Sequence, residues 1–131
     1  MSRILIVDDN MQIRLLFMMS LTRAGYQADI AKDGNQACKM YRENPYDLVI
    51  TDIVMPEKEG TETIIELRRD FPDVKIFAIS GGGDCFGPDC ILKVAENSGA
   101  IKTFPKPVDL TELKTAIENE IGKPRLGQQQ K

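Results

Sequence analysis

Ile4-Leu5-Ile6-Val7-Asp8-Asp9 is a branched apolar run that stops abruptly at two carboxylates. Four apolar residues in a row, without polar alternation, suit a strand buried on both faces. Similar runs recur at Leu48-Val49-Ile50, at Val74-Lys75-Ile76-Phe77-Ala78-Ile79 and at Ala100-Ile101-Lys102-Thr103-Phe104, with a weaker one over Tyr26 to Ala31. The stretches between them have helical spacing. Ile13, Leu16, Phe17, Ser20 and Leu21 recur at threes and fours, as do Ala37, Met40 and Tyr41, then Ile64, Ile65, Leu67 and Arg68, and later Leu113, Ala116, Ile117 and Ile121. Alternation of strand and helix, about five times over, predicts βα units and a parallel sheet covered on both faces. The punctuation agrees. Gly25 suits a helix C-terminus, Asn10 a helix cap, Asp33-Gly34 a helix start, and Asp109 with Glu112 an acidic capping box.

Composition bounds the rest. A chain of 131 residues, 42% apolar and 28% charged, has the makeup of one globular domain. Seventeen bases against twenty acids leave a net charge of −3, which argues against direct nucleic-acid binding. Histidine is absent, which excludes histidine acid–base catalysis, histidine-ligated zinc and a phosphohistidine on this chain. Three cysteines (Cys38, Cys85 and Cys90) do not make a disulfide framework and suit a reducing compartment. No apolar run is long enough for a bilayer span, so no membrane insertion and a cytoplasmic location are expected. Residues 1–121 read as one domain, and residues 122–131, with Gly, Pro and three glutamines, as a flexible tail.

In an open parallel sheet, ligands bind at the carboxyl ends of the strands. Those ends carry Asp8 and Asp9, Asp52, Ser80, and Lys106-Pro107. Three converging carboxylates repel one another unless a cation intervenes, and oxygen-only ligands select a hard divalent ion. Magnesium is the expected ion, with manganese as an alternative. A metal, a lysine, a hydroxyl donor and a carboxylate nucleophile together describe phosphoryl transfer onto an aspartate.

With Asp8-Asp9, Asp52 within Leu48-Val49-Ile50-Thr51-Asp52-Ile53-Val54-Met55-Pro56, Gly60, Ser80 and Lys106-Pro107 in this order, the chain resembles the receiver domain of two-component response regulators from about Arg3 to Ile121. The resemblance implies a flavodoxin-like doubly wound (βα)5 fold with strand order 2-1-3-4-5. It implies that Asp52 accepts a phosphoryl group from a phosphohistidine on a histidine kinase or histidine phosphotransfer protein. Asp9 would ligate magnesium directly, with Asp8 beside it and the Val54 backbone carbonyl as a further ligand. Lys106 would pair with the acceptor and then the phosphoryl oxygens. Ser80 would bond the phosphoryl group and pass the change on. The chain would then be a switch that promotes only its own phosphorylation and dephosphorylation. The face of the fourth and fifth helices and the fifth strand would meet an unidentified downstream protein.

The sequence also departs from the pattern. The aromatic switch position three residues before the lysine is Thr103, and strand alternation turns Phe104 to the other face. Val54 offers no polar side chain to orient a hydrolytic water, which predicts slow self-dephosphorylation. The same chain also suits a receiver module cut from a hybrid kinase or a larger regulator. A haloacid-dehalogenase-type phosphatase wants a second aspartate where Val54 stands. Gly82 and Gly87 have the spacing of a phosphate loop, but Pro88 and Asp89 take the places of its Lys and Ser/Thr. The reading is a flexible loop that reorders on phosphorylation, with Cys85 and Cys90 free in it. The methionines Met11, Met18, Met19 and Met40 suit core gaps or partner-facing grooves. The scattered lysines and arginines read as solvated surface.

Overall fold

A computed structural model describes residues 2–52, 60–80, 99–105 and 108–122. Five parallel strands form one sheet: β1 (Arg3–Val7), β2 (Gln27–Ala31), β3 (Leu48–Asp52), β4 (Ile76–Ser80) and β5 (Lys102–Pro105). Their order is β2-β1-β3-β4-β5, as the resemblance implies. Four helices are described: α1 (Met11–Ala24), α2 (Gly34–Glu43), α3 (Gly60–Asp70) and α4 (Leu110–Ile121). The helical stretch expected ahead of Gly99, the glycine-rich loop with Cys85 and Cys90, and residues 123–131 of the expected tail lie outside the described residues.

Each face of the sheet carries its own apolar layer. Leu5, Val7, Val49, Ile76 and Ala78 pack with Ala37 and Tyr41 of α2 and Ile64 and Leu67 of α3. Ile4, Ile6, Ile50, Phe77, Ile79 and Phe104 pack with Phe17 and Leu21 of α1 and Leu113 and Ile117 of α4. Alternate residues of β1 and β3 thus enter opposite layers, which is why their sequences read as unbroken apolar runs. Phe104 lies beside Phe77 on the α1/α4 face, with ring centroids 5.5 Å apart. Thr103 pairs with Ala78 and so belongs to the other face, as alternation predicts.

Local chemistry sets the helix ends. The Asn10 side chain accepts from the amides of Gln12 (2.8 Å) and Ile13 (3.2 Å) and opens α1. Asp33 and Asp109 do the same for α2 and α4. Gly25 closes α1 at φ 108°, a left-handed conformation that costs glycine little. Two long-range bonds then tie down the far end of α4. The Tyr26 hydroxyl donates to the Gly122 carbonyl (3.0 Å), and Lys75 Nζ donates to that of Glu120 (2.9 Å).

The structure corrects some of the expected elements. Val74 and Lys75 precede β4, and Ala100 and Ile101 precede β5. Val74 is nonetheless buried, because the turn closed by its amide on the Phe71 carbonyl folds it into the layer between the sheet and α2 and α3. Leu16 and Ile65 do not face the core; they are 49% and 53% exposed. Each lies one residue, about 100° of helix, from a buried neighbour (Phe17, Ile64) that holds the inward position. Met18 and Met40 pack against the core, whereas Met11 and Met19 are exposed. Several arginines are not free surface. The Arg3 guanidinium donates to the Pro45 carbonyl (2.7 Å) and stacks 4.2 Å from the centre of the Tyr46 ring. Burial, and then the bond to Asp29, push the Tyr46 hydroxyl up to about 12. Arg68 donates to the Val74 carbonyl.

Candidate metal and phosphoacceptor site

The strand register brings the acidic residues together. Val7 pairs with Thr51, so Asp8, just past β1, stands level with Asp52 at the end of β3. Asp52 pairs in turn with Ile79, and Ser80 with Pro105. The carboxyl ends of β1, β3, β4 and β5 thus form one rim, with the Ser80 backbone on it.

Carboxylate oxygens of Asp8, Asp9 and Asp52 all lie within 4.8 Å of one another. Asp8 and Asp52 are buried, at 2% and 4% exposure, while Asp9 is exposed. Two buried acids and one facing water, with only oxygen donors, make a set suited to a hard divalent ion that keeps part of its water shell. Zinc and copper sites favour nitrogen or sulfur ligands.

Asp8 sits in an ordered turn. Its amide donates to the Ala31 carbonyl (3.2 Å), and its Oδ1 accepts the Asn10 amide (2.8 Å). Its own carbonyl accepts from Arg14 Nη1 (2.7 Å). At the neighbouring strand end, the buried Thr51 hydroxyl donates to the Asp52 carbonyl (2.9 Å). Both acids are therefore presented by backbone that is hydrogen-bonded on each side, which limits how far the site must reorganise around a ligand.

Of the residues singled out from sequence, the structure brings together Asp8, Asp9 and Asp52. It puts Ser80 at the end of β4 by its backbone and Thr103 on β5. Val54, Lys106 and the Ser80 side chain lie outside the described part of the chain. Two features were not anticipated. One is Arg14, grouped in sequence with the solvated cations. The other is that Leu15 joins Met11 and Met19, two of the methionines read as suiting core gaps or partner-facing grooves, in an apolar row on the outer side of α1; the three are 39%, 62% and 57% exposed. The spacing of four residues, starting just past Asp9, was the available signal for that row.

Comparisons with known proteins agree with this geometry. The response regulator CpdR of Brucella abortus is 33% identical, over 92% of this chain and 98% of its own length. The transcriptional regulator NtrC of Azospirillum brasilense is 30% identical over 90% of this chain, which spans only 24% of that protein. Among solved structures, the response regulator TrrA of Thermotoga maritima, in complex with Mg2+ and BeF, superposes with a TM-score of 0.78. It is 33% identical, over 92% of this chain and all of that one. The family model for the response regulator receiver domain matches residues 4–118. The chain thus belongs to the response regulator receiver domain family, the phosphorylatable switches of two-component signalling.

Proposed function

We propose that Asp52 is the phosphoacceptor of this chain and that Asp8 and Asp9 hold magnesium beside it. The observation that carries the reading is the meeting of three carboxylates at the rim, Asp52 among them at the end of a central strand. A bound divalent ion would screen the negative charge of an approaching phosphoryl group. Manganese, also oxygen-seeking, is the alternative ion. The Val54 carbonyl completes the ligand set, and Lys106 pairs with the acceptor.

In the reaction, an Asp52 carboxylate oxygen bonds to phosphorus as the P–N bond of a phosphohistidine breaks. The electron pair stays on the imidazole nitrogen, which takes up a proton. The donor is a histidine kinase or a histidine phosphotransfer protein, since this chain has no histidine of its own. The product carries about two negative charges where one carboxylate stood. Ser80, at the end of β4, turns to bond the phosphoryl oxygens, and the change passes across the pairing of β4 with β5 to Thr103. A downstream protein reads the altered face. Residues 1–121 form the switch, and the segment from 122 on is a tail or a link to further chain. The chain works in the cytoplasm and turns over no substrate besides its own phosphoryl group.

Beryllofluoride, a stable stand-in for the phosphoryl group, tests this reading by amide NMR. Beryllofluoride with magnesium is expected to shift Asp8, Asp9, Asp52 and Ser80 and to reach Thr103. Magnesium alone should shift only the acidic rim, and neither beryllofluoride alone nor both additions with Asp52→Asn should reach Ser80 and Thr103. With both additions, shifts that stop at the rim in wild type would refute the switch, and shifts that reach Thr103 in Asp52→Asn would refute the acceptor.

A further inference from the structure

Arg14 is an unexpected residue to find near the start of α1. The positive end of the helix dipole disfavours a cation in the opening turns. Any cation at the acidic rim would be repelled by it as well. Yet the side chain is partly buried and directed back along the helix, past the Asn10 cap, so that Nη1 meets the Asp8 carbonyl at 2.7 Å. That carbonyl belongs to the peptide joining Asp8 to Asp9. Its orientation sets the direction in which the Asp9 side chain leaves the backbone. The Asp8 amide and carboxylate are held by Ala31 and Asn10, and these bonds fix the near side of the turn. Asp9, exposed on the far side, takes its placing from the peptide that Arg14 holds.

We infer that Arg14 is a positioning residue for the divalent-cation site, acting through the Asp8–Asp9 peptide. This rests on the reading of the acidic rim as a magnesium site. The guanidinium touches no reacting atom. It holds two carboxylates in register before the ion arrives, so that less order is lost on binding. The preorganisation outweighs the repulsion between its charge and the ion.

The two effects have opposite signs, which makes the inference testable with magnesium alone. Magnesium affinity is measured by amide NMR titration for wild type, Arg14→Met, Arg14→Lys and Asp9→Asn, with metal-free melting temperatures alongside. Arg14→Met is expected to bind magnesium about tenfold more weakly, the lower end of the range for losing a group that orients a metal ligand. Its metal-free melting temperature should stay within a few degrees of wild type, roughly the effect of one partly exposed hydrogen bond. Arg14→Lys keeps a donor of similar reach and should recover most of the loss. Equal or tighter binding by Arg14→Met would overturn the inference, because charge repulsion would then be the larger effect. So would a loss of affinity matched by a large fall in metal-free stability, which would make Arg14 a fold residue only. Wild type that binds no magnesium, or an Asp9→Asn variant that binds it as well as wild type, would instead refute the metal site itself.

Discussion

Replacing Asp9 with asparagine should make the metal-free protein more stable and, in the same step, remove its response to magnesium. Asp9 lies with Asp8 and Asp52 in a cluster in which one carboxylate oxygen from each is within 4.8 Å of the others. Two unit charges at that distance repel by about 0.9 kcal/mol at the dielectric constant of water and by about 3.5 kcal/mol at an effective value of 20. Asp9 faces solvent, so the lower figure applies to each of its two pairs. The separation is shorter than the Debye length of about 8 Å at physiological salt, so screening leaves much of it. Relief on removing the charge is therefore about 1–2 kcal/mol. Unfolding entropy near 2.1 cal/mol/K per residue, over 131 residues, converts this to a rise of about 4–7 °C in melting temperature. Magnesium acts oppositely. At a concentration 100 times its dissociation constant, a ligand bound only by the folded state adds about 2.7 kcal/mol. Wild type should gain this and Asp9→Asn almost none, so the order of the two melting curves reverses between chelator and excess magnesium. Thermal melts by circular dichroism read both. A metal-free variant less stable than wild type, or one that keeps the full magnesium shift, would refute the reasoning.

Other expectations can be checked separately. Val54→Asn places an amide two residues past the acceptor, where it can orient water, and should shorten the phosphoryl lifetime several-fold; an unchanged decay rate would exclude a role for this position. Gly99→Ala should destabilise the fold by about 1–3 kcal/mol in urea unfolding. Gly99 has φ +120°, and a Cβ there would approach Arg68 Cγ to 2.8 Å. Arg69, and next Arg42, hold the Asp70 carboxyl down at about 2. A lowered carboxylate stabilises the folded state above its unfolded value and loses that contribution as the acid protonates. The deficit of Asp70→Asn against wild type should thus be complete above roughly pH 5 and shrink as pH falls from about 4 towards 2. A deficit constant from pH 6 to pH 3 would contradict this.

Much of the fold was legible because its signals are local. Asn10, Asp33 and Asp109 cap helices through amides two or three residues ahead, and Gly25 closes one through its own backbone freedom. The apolar runs marked the strands for the same reason, since burial on both faces removes polar alternation. Apolarity alone does not separate strand from the buried turn before it, so Val74 reads as part of the β4 run although it precedes the strand. Strand order depends on pairing between residues far apart in sequence, such as Val7 with Thr51, and came only with the family resemblance. The three acids were legible because each follows an apolar run, and the carboxyl ends of parallel strands are where ligands bind. Arg14 was not. A long side chain has several turns and strands within reach, and only the tertiary fold decides that its partner is the Asp8 carbonyl.

Intact mass after incubation with magnesium and a small phosphodonor such as acetyl phosphate bears most closely on the acceptor. Wild type should gain about 80 Da, one phosphoryl group, in a reaction that stops when a chelator removes the ion, and Asp52→Asn should gain nothing. An adduct of the same mass and yield on Asp52→Asn, or one that forms equally well without a divalent ion, would contradict the assignment.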